Sequence, residues 1–278
     1  MRVIRTAAEM QEIRSGLSGS VGLVATLGGI HSGHTTHMDT LRPLCGTLVG
    51  SMFLNPTQFG ENEDISKYPS NELTDLAEFE KHGADFVFAP SVDEIYPPDE
   101  EILSVDPGPV AKVLDGIIRP GHFEGVATVV TRLFSIISPN KATFGEKDAQ
   151  QLRIVEYIND TLGLGIEIIP ITTVRDDDGL AISSRNVYLS AEERQAATIL
   201  FKALSVAKLS FDSGERSGDA LRFMLSAVLN GESRATVEYA SIADVDTFEE
   251  LDYVEHSARA LLAVRIGSAR LIDNFLLA

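Results

Sequence analysis

Residues 21–37 read VGLVATLGGIHSGHTTH. An apolar run, 21–26, breaks at Leu27, Gly28 and Gly29, and three of the chain's six histidines follow within seven residues. The run is short, continuous and closed by glycines, which describes a buried strand. From Gly33 to about residue 43 the pattern reads as a helix opening after the turn. Strand, glycine turn and helix start together make the first half of a βαβ unit.

Outward from that corner the alternation continues. Residues 46–53 predict a strand, 72–83 a helix, and 85–89 a strand stopped by Pro90. Residues 125–138, GVATVVTRLFSIIS, are apolar nearly all round and predict a buried helix despite their β-branched content. A strand at 141–144, a helix at 148–163 and a strand at 166–172 complete a doubly wound parallel sheet, an α/β fold. A charged turn, VRDDDG at 174–179, then changes the composition. Ser190-Ala-Glu-Glu193 is a capping box that opens a long helix to about Leu209. A helix at 219–229 and strands at 237–243, 258–264 and 270–276 predict a second, smaller α+β domain. The boundary falls near residue 173, giving domains 1–173 and 174–278. No internal repeat or low-complexity segment interrupts them.

At 278 residues the chain is long enough for one large or two modest domains. No run of about 18 apolar residues occurs, so no membrane span is expected. The first residues show no apolar core of a secretory signal. The single cysteine, Cys45, excludes an intrachain disulfide and suits a reducing cytoplasm. A net charge of −18 argues against nucleic acid, whose phosphates call for clustered Lys and Arg. It leaves small anions open, provided their site is locally basic.

The histidines admit two readings. As metal ligands on a helix they would sit at i and i+4, as in H-E-x-x-H. His31, His34 and His37 are three apart and would fan over roughly 120° of helix surface. As an anion site they fit better. Gly28 and Gly29 would let the backbone approach closely, the helix start supplies N–H groups, and two imidazoles add donors. The stretch is neither a Walker A loop nor G-x-G-x-x-G. His37 reads as a half-exposed helix residue.

H-x-G-H after a first strand resembles the signature of the nucleotidyltransferase superfamily. Five further segments narrow it: FLNPTQFG at 53–60, RPGHFEGVATVV at 119–130, GEKDAQQ at 145–151, SSRN at 183–186 and LIDN at 271–274. In this order and spacing, over essentially the whole chain, they resemble the pantoate–β-alanine ligase family. The resemblance implies a Rossmann-like first domain and a second that closes as a lid. It implies ATP-dependent joining of pantoate and β-alanine through a pantoyl adenylate, with release of pyrophosphate and then AMP. It also implies Mg²⁺ arriving with ATP, a cytoplasmic enzyme, and a homodimer.

By motif match, His34 carries the catalytic histidine role, His31 supports it on the same phosphates, and Lys147 brings a point charge to the α-phosphate or leaving oxygens. The resemblance places ATP against Leu27, Gly28, Gly29, Ile30, His31, Ser32, Gly33 and His34. It adds Gly145, Glu146, Lys147 and Asp148 from a second corner, and Val174, Ile182, Ser183, Ser184 and Arg185 from the lid. Asp148 would reach the ribose side, or simply cap a helix. Gln58 and Gln151 are the expected pantoate holders, with Gln58 also beside β-alanine; an amide can donate and accept at once. Arg119 and His122 read as loop architecture near the site. No metal ligands are assigned.

Four positions depart from the family pattern: Ala25 and Leu27 in a stretch commonly Pro-Thr-Met-Gly, Ser32 where an acid is frequent, and Ile182 for Leu or Met. None removes a charged or hydrogen-bonding catalytic group, so affinity is affected more than reaction type. Three rivals remain on the residues alone. They are a nucleotidyltransferase leaving AMP on a phosphorylated product, a histidine-rich metal binder, and a non-catalytic nucleotide binder.

Overall fold

In the first unit the strands at Val21–Thr26 and Lys141–Gly145 lie side by side where the strand order of the sheet reverses. The computed structural model describes every residue except Asn62. One unit is Met1–Glu146 with Gln150–Thr172, the other Lys147–Ala149 with Thr173–Ala278. In the first, chain order runs β1 (Arg2–Ile4), α1 (Ala7–Gly16), β2 (Val21–Thr26), α2 (Ser32–Leu41), β3 (Thr47–Met52), α3 (Glu72–Lys81) and β4 (Phe86–Phe88). It continues through α4 (Val92–Ile95), α5 (Asp115–Ile118), α6 (His122–Ile137), β5 (Lys141–Gly145), α7 (Ala149–Thr161) and β6 (Glu167–Ile171). All paired strands are parallel, in the order β1-β4-β3-β2-β5-β6. The chain winds from β2 to β3 and β4 on one side and returns to β5 and β6 on the other. An open α/β sheet binds ligands at such a switch, outside the carboxyl ends of the strands.

Burial explains these elements. Val21, Leu23 and Val24 of β2 are enclosed together with Leu48 and Val49 of β3. Helix α6 buries residues around its whole circumference, from Phe123 to Ile137, as an apolar sequence must. Its expected start at residue 125 moves back to His122. Helix α2 starts at Ser32 rather than Gly33, with His31 as its N-cap. β1 and α1 were not legible as elements: a three-residue strand has no periodicity to read, and it exists because Arg2, Val3 and Ile4 pair with Phe86, Val87 and Phe88.

The second unit holds α8 (Ala191–Ala196), α9 (Ile199–Asp212), α10 (Gly218–Leu229), β7 (Ala235–Asp244), β8 (Ala258–Ile266) and β9 (Ala269–Leu277). The strands form an antiparallel sheet in the order β7-β8-β9. Leu221, Leu225 and Leu229, one turn apart on α10, join Leu200, Ala203, Leu204 and Ala207 of α9 and Ala260, Leu262 and Val264 of β8 in one core. Each fully buried leucine contributes about 2 kcal/mol. The Ser190 capping box forms with both of its bonds. The helix it opens is not continuous to residue 209, however. It stops at Ala196, and Thr198 turns its hydroxyl back onto the Gln195 carbonyl at 2.8 Å, so the next helix starts afresh at Ile199.

Candidate functional site

The β2–α2 corner is held from beneath. The Thr26 hydroxyl donates to the Ser51 carbonyl at 3.0 Å and accepts the Gly28 N–H at 3.2 Å. Gly28 and Gly29 take φ of 90° and 67°, the left-handed region that favours glycine. The Gly29 and Ile30 N–H groups donate to the two oxygens of Asp75 on α3 at 2.9 and 2.8 Å, and the Asn71 N–H adds a third bond at 3.2 Å. These loop amides bond a buried carboxylate, which fixes the backbone that leads into His31. Asp75 was invisible in the sequence: in ELTDL it reads as one more exposed helix acid, yet it is 3% exposed.

The H-x-G-H spacing has a local cause. His31 caps α2 by accepting the Gly33 N–H on Nδ1 at 3.1 Å. A neutral ring bonded this way carries its proton on Nε2 and can only donate there. The imidazole lies so close over residue 33 that a Cβ would sit 2.9 Å from two ring atoms, so any side chain there would have to displace the ring. His34, one turn into α2, stacks on His31 with ring centroids 4.0 Å apart and planes 24° from parallel. His37 is partly buried farther along α2. Among the described residues no three His, Cys, Asp or Glu side chains gather to hold a metal.

A second group surrounds Gln58, in the 3₁₀ turn Pro56–Gln58. Asn55, fully buried, accepts from the Thr57 N–H at 3.3 Å and the Tyr96 hydroxyl at 2.9 Å on Oδ1. Its Nδ2 donates to the Gly125 carbonyl at 3.2 Å and to Gln58 at 3.1 Å. Backbone partners on both ends fix which way Asn55 faces, so the Gln58 atom beside it must be the oxygen Oε1. The Gln58 NH₂ is left to donate.

Behind it, Arg119 holds Glu63 with both ends of its fork at 2.6 and 2.7 Å and turns a third N–H toward His122 Nε2 at 2.8 Å. Arginine only donates, so Nε2 accepts, and the His122 Nδ1–H must donate to the Gln58 carbonyl at 2.8 Å. Burial first, then the Arg119 charge, pushes His122 down to about 4. Burial opposes the Glu63 carboxylate, but the Arg119 bonds overcome it and hold Glu63 below its ordinary range. The motif around His122 thus orients the Gln58 turn. Gln151 lies half-buried on α7, and its neighbour Gln150 is consumed by the carbonyls of Val110 and Val113 at 2.7 and 2.8 Å.

Gly145 ends β5, and Glu146 begins the 3₁₀ turn Glu146–Asp148. Lys147 and Asp148 belong to the second unit and pair with each other at 3.5 Å. Asp148 ends that turn rather than starting α7, which begins at Ala149. Val174 and Ile182 face each other across a short hairpin, the Ile182 N–H donating to the Val174 carbonyl at 2.9 Å. Ser183 caps the turn Ser184–Tyr188 by accepting the Arg185 N–H at 3.3 Å, and Ser184 is buried. The hairpin is anchored by Arg175, whose guanidinium grips Asp273 at 2.6 and 2.8 Å.

With this geometry in view, comparisons with known proteins are consistent along the whole chain. The family model described as pantoate-beta-alanine ligase matches residues 2–276. A pantothenate synthetase of Roseiflexus sp. (strain RS-1) is 49% identical over 277 residues, covering 100% of this chain and 99% of the relative. A crystal structure of pantothenate synthetase from Thermus thermophilus superposes with a TM-score of 0.93 at 39% identity, covering 99% of each chain. The pantoate-beta-alanine ligase of Francisella tularensis, complexed with beta-gamma ATP and beta-alanine, superposes with a TM-score of 0.83 at 30% identity, covering 100% of this chain and 98% of that one.

Proposed function

The chain belongs to the pantoate–β-alanine ligase family, and from that membership we propose that it condenses pantoate with β-alanine at the expense of ATP, by way of a pantoyl adenylate. The match over residues 2–276 carries the reading. The relative complexed with ATP and beta-alanine supports the substrate set. The pantoate carboxylate oxygen attacks the α-phosphorus and pyrophosphate leaves. The neutral β-alanine amine then attacks the acyl carbon, AMP leaves, and the amine's proton is lost.

Charge grows on the non-bridging and leaving oxygens in the first step, so positioned donors lower its barrier. His34 and His31 supply imidazole donors and Lys147 a point charge. Gly28, Gly29, Ile30 and Gly33 shape the corner, and Ser183, Ser184 and Arg185 bring hydroxyls and a guanidinium. Gln58, with its NH₂ left to donate, and Gln151 hold pantoate, and Gln58 also borders β-alanine. Residues 1–173 form the nucleotide- and pantoate-binding domain. Residues 174–278 form the lid, which protects the adenylate from hydrolysis.

No resident metal site is proposed. Mg²⁺ would come bound to the nucleotide and would supply neutralisation of phosphate charge. None of the residue roles depends on it. Among the described residues no helix is long and apolar enough to cross a membrane; we place the enzyme in the cytoplasm, as a homodimer that equilibrium sedimentation would reveal.

The deciding experiment is isotope exchange between pyrophosphate and ATP. It should require pantoate and proceed without β-alanine, and AMP release should require all three substrates. Exchange without pantoate, or a dinucleotide product without an amide, would overturn the reading. Lys147→Ala and His34→Ala should fold normally and lose most turnover; a near-normal rate in either removes that residue from the mechanism.

A further inference from the structure

The LIDN segment is the one motif to which the reaction above gives no task, and its two polar residues are buried in the middle of β9. Buried polar side chains in a strand are costly unless each is fully bonded. Both are bonded, and to segments expected at the nucleotide. The Asn274 amide nitrogen donates to the Lys147 carbonyl at 3.1 Å, and its amide oxygen accepts from Arg259 at 2.7 Å. Asp273 receives Arg175 on both oxygens and also accepts the Asn274 N–H at 2.8 Å. Arg175 follows Val174 directly, bonds the Gly179 carbonyl at 3.0 Å, and lies 4.9 Å from the centroid of the Phe275 ring.

We propose that Asp273 and Asn274 act together as a positioning device for the ligation, fixing the spacing between Lys147 and the Val174–Arg185 hairpin. This rests on the reading that Lys147 acts on the phosphates. Two independent observations support it. The side chains of adjacent residues on one strand bond the two segments. Separately, Lys147–Ala149 groups with the second unit although its chain neighbours on both sides group with the first. The chemistry also selects the residue. At position 274 one side chain must give a proton to a carbonyl and take one from a guanidinium, which asparagine does and aspartate cannot.

That asymmetry provides the test. Asn274→Asp keeps the Arg259 bond, now as an ion pair, and sets an oxygen against the Lys147 carbonyl, so it breaks the lysine tie while keeping the arginine one. Pyrophosphate–ATP exchange should show kcat down about 100-fold, the size of effect expected when a catalytic group is misplaced by about 1 Å. The KM for pantoate should stay within about twofold, with both constants read at temperatures where the variant remains folded, since the unpaired Lys147 carbonyl lowers its thermal midpoint. In a Lys147→Ala background the same change should cost almost nothing further.

Near-parental exchange in Asn274→Asp, or a full additional loss on top of Lys147→Ala, overturns the proposal. Full activity in Lys147→Ala overturns the underlying role of the lysine instead, and the two failures are distinct. Asn274→Ser, whose neutral hydroxyl is too short to span the gap, carries the same expectation if the aspartate variant does not fold.

Discussion

Replacing Asp75 by asparagine should loosen the histidine corner without touching a histidine. One Asp75 oxygen accepts the N–H groups of Gly29 and Asn71, and the other accepts Ile30. An asparagine can present its oxygen to the first pair, but then its NH₂ meets the Ile30 N–H, donor against donor. The loss is one bond to a charged acceptor, about 1.5–3 kcal/mol, together with a backbone donor left unsatisfied, about 1–3 kcal/mol. A total near 4 kcal/mol follows. At roughly 2–4 °C per kcal/mol for a domain of this size, the first unit's transition should fall by about 10 °C. Scanning calorimetry, with the two units fitted as separate transitions, reads it. Pantoate-dependent exchange should fall at least about tenfold at temperatures where the variant remains folded, because His31 follows Ile30 directly and loses its approach. A midpoint within a degree or two of the parent, with exchange intact, would show that the three bonds neither stabilise the unit nor place the ring.

His122 gives stability a pH signature. Its folded value is about 4 against 6.5 for the unperturbed ring. As pH falls below 6.5 the unfolded chain takes up this proton first, so stability drops, and the loss levels off near pH 4. Between pH 7 and 5 the contribution is about 2 kcal/mol. Urea melts of His122→Gln should lack that component in the difference from the parent; identical slopes would mean that the ring is not held neutral. Gly33→Ala places a methyl 2.9 Å from the His31 ring, and should cut exchange at least about tenfold while moving the midpoint by a few degrees or less. Arg175→Met leaves the Asp273 carboxylate, 1% exposed, without its partner, and should destabilise the second unit by about 3–5 kcal/mol in calorimetry. A shift below about 1 kcal/mol would show that the hairpin is anchored by something else.

The parallel sheet was legible because its central strands are continuous apolar runs of ordinary length, and buried strands have no other way to look. β1 was not, since three residues become a strand only through a neighbour 84 positions away, Arg2 pairing with Phe86. The helix predicted across 197–198 failed at the threonine, where a hydroxyl competes for a carbonyl that the helix needs. The histidine corner was legible as a motif, while its mechanics were not. The spacing names His31, Gly33 and His34 but not the carboxylate beneath them, because nothing in ELTDL marks one acid of the amphipathic α3 as buried. Asn274 stood in a recognised segment and still carried no readable role, since its partners, Lys147 and Arg259, are remote in sequence.

What each side chain can do chemically is decided by the atoms that the fold has already used. Gln58 has given its oxygen to Asn55 and keeps two N–H donors. His31 has given Nδ1 to the Gly33 N–H, so that nitrogen cannot donate. His122 has given one nitrogen to Arg119 and the other to the Gln58 carbonyl, so although it is a histidine in a family motif it has no atom left for a substrate. The amides of Gly29 and Ile30 are spent on Asp75 in the same way. At Gln58 the subtraction leaves only donors. Donors of this kind suit carboxylate and phosphate oxygens and give nothing to a cation. A chain with a net charge of −18 can therefore bind acidic substrates where its internal bonds have oriented neutral side chains to donate. Local hydrogen-bond accounting, and not the net charge, sets what a side chain such as Gln58 can offer a ligand.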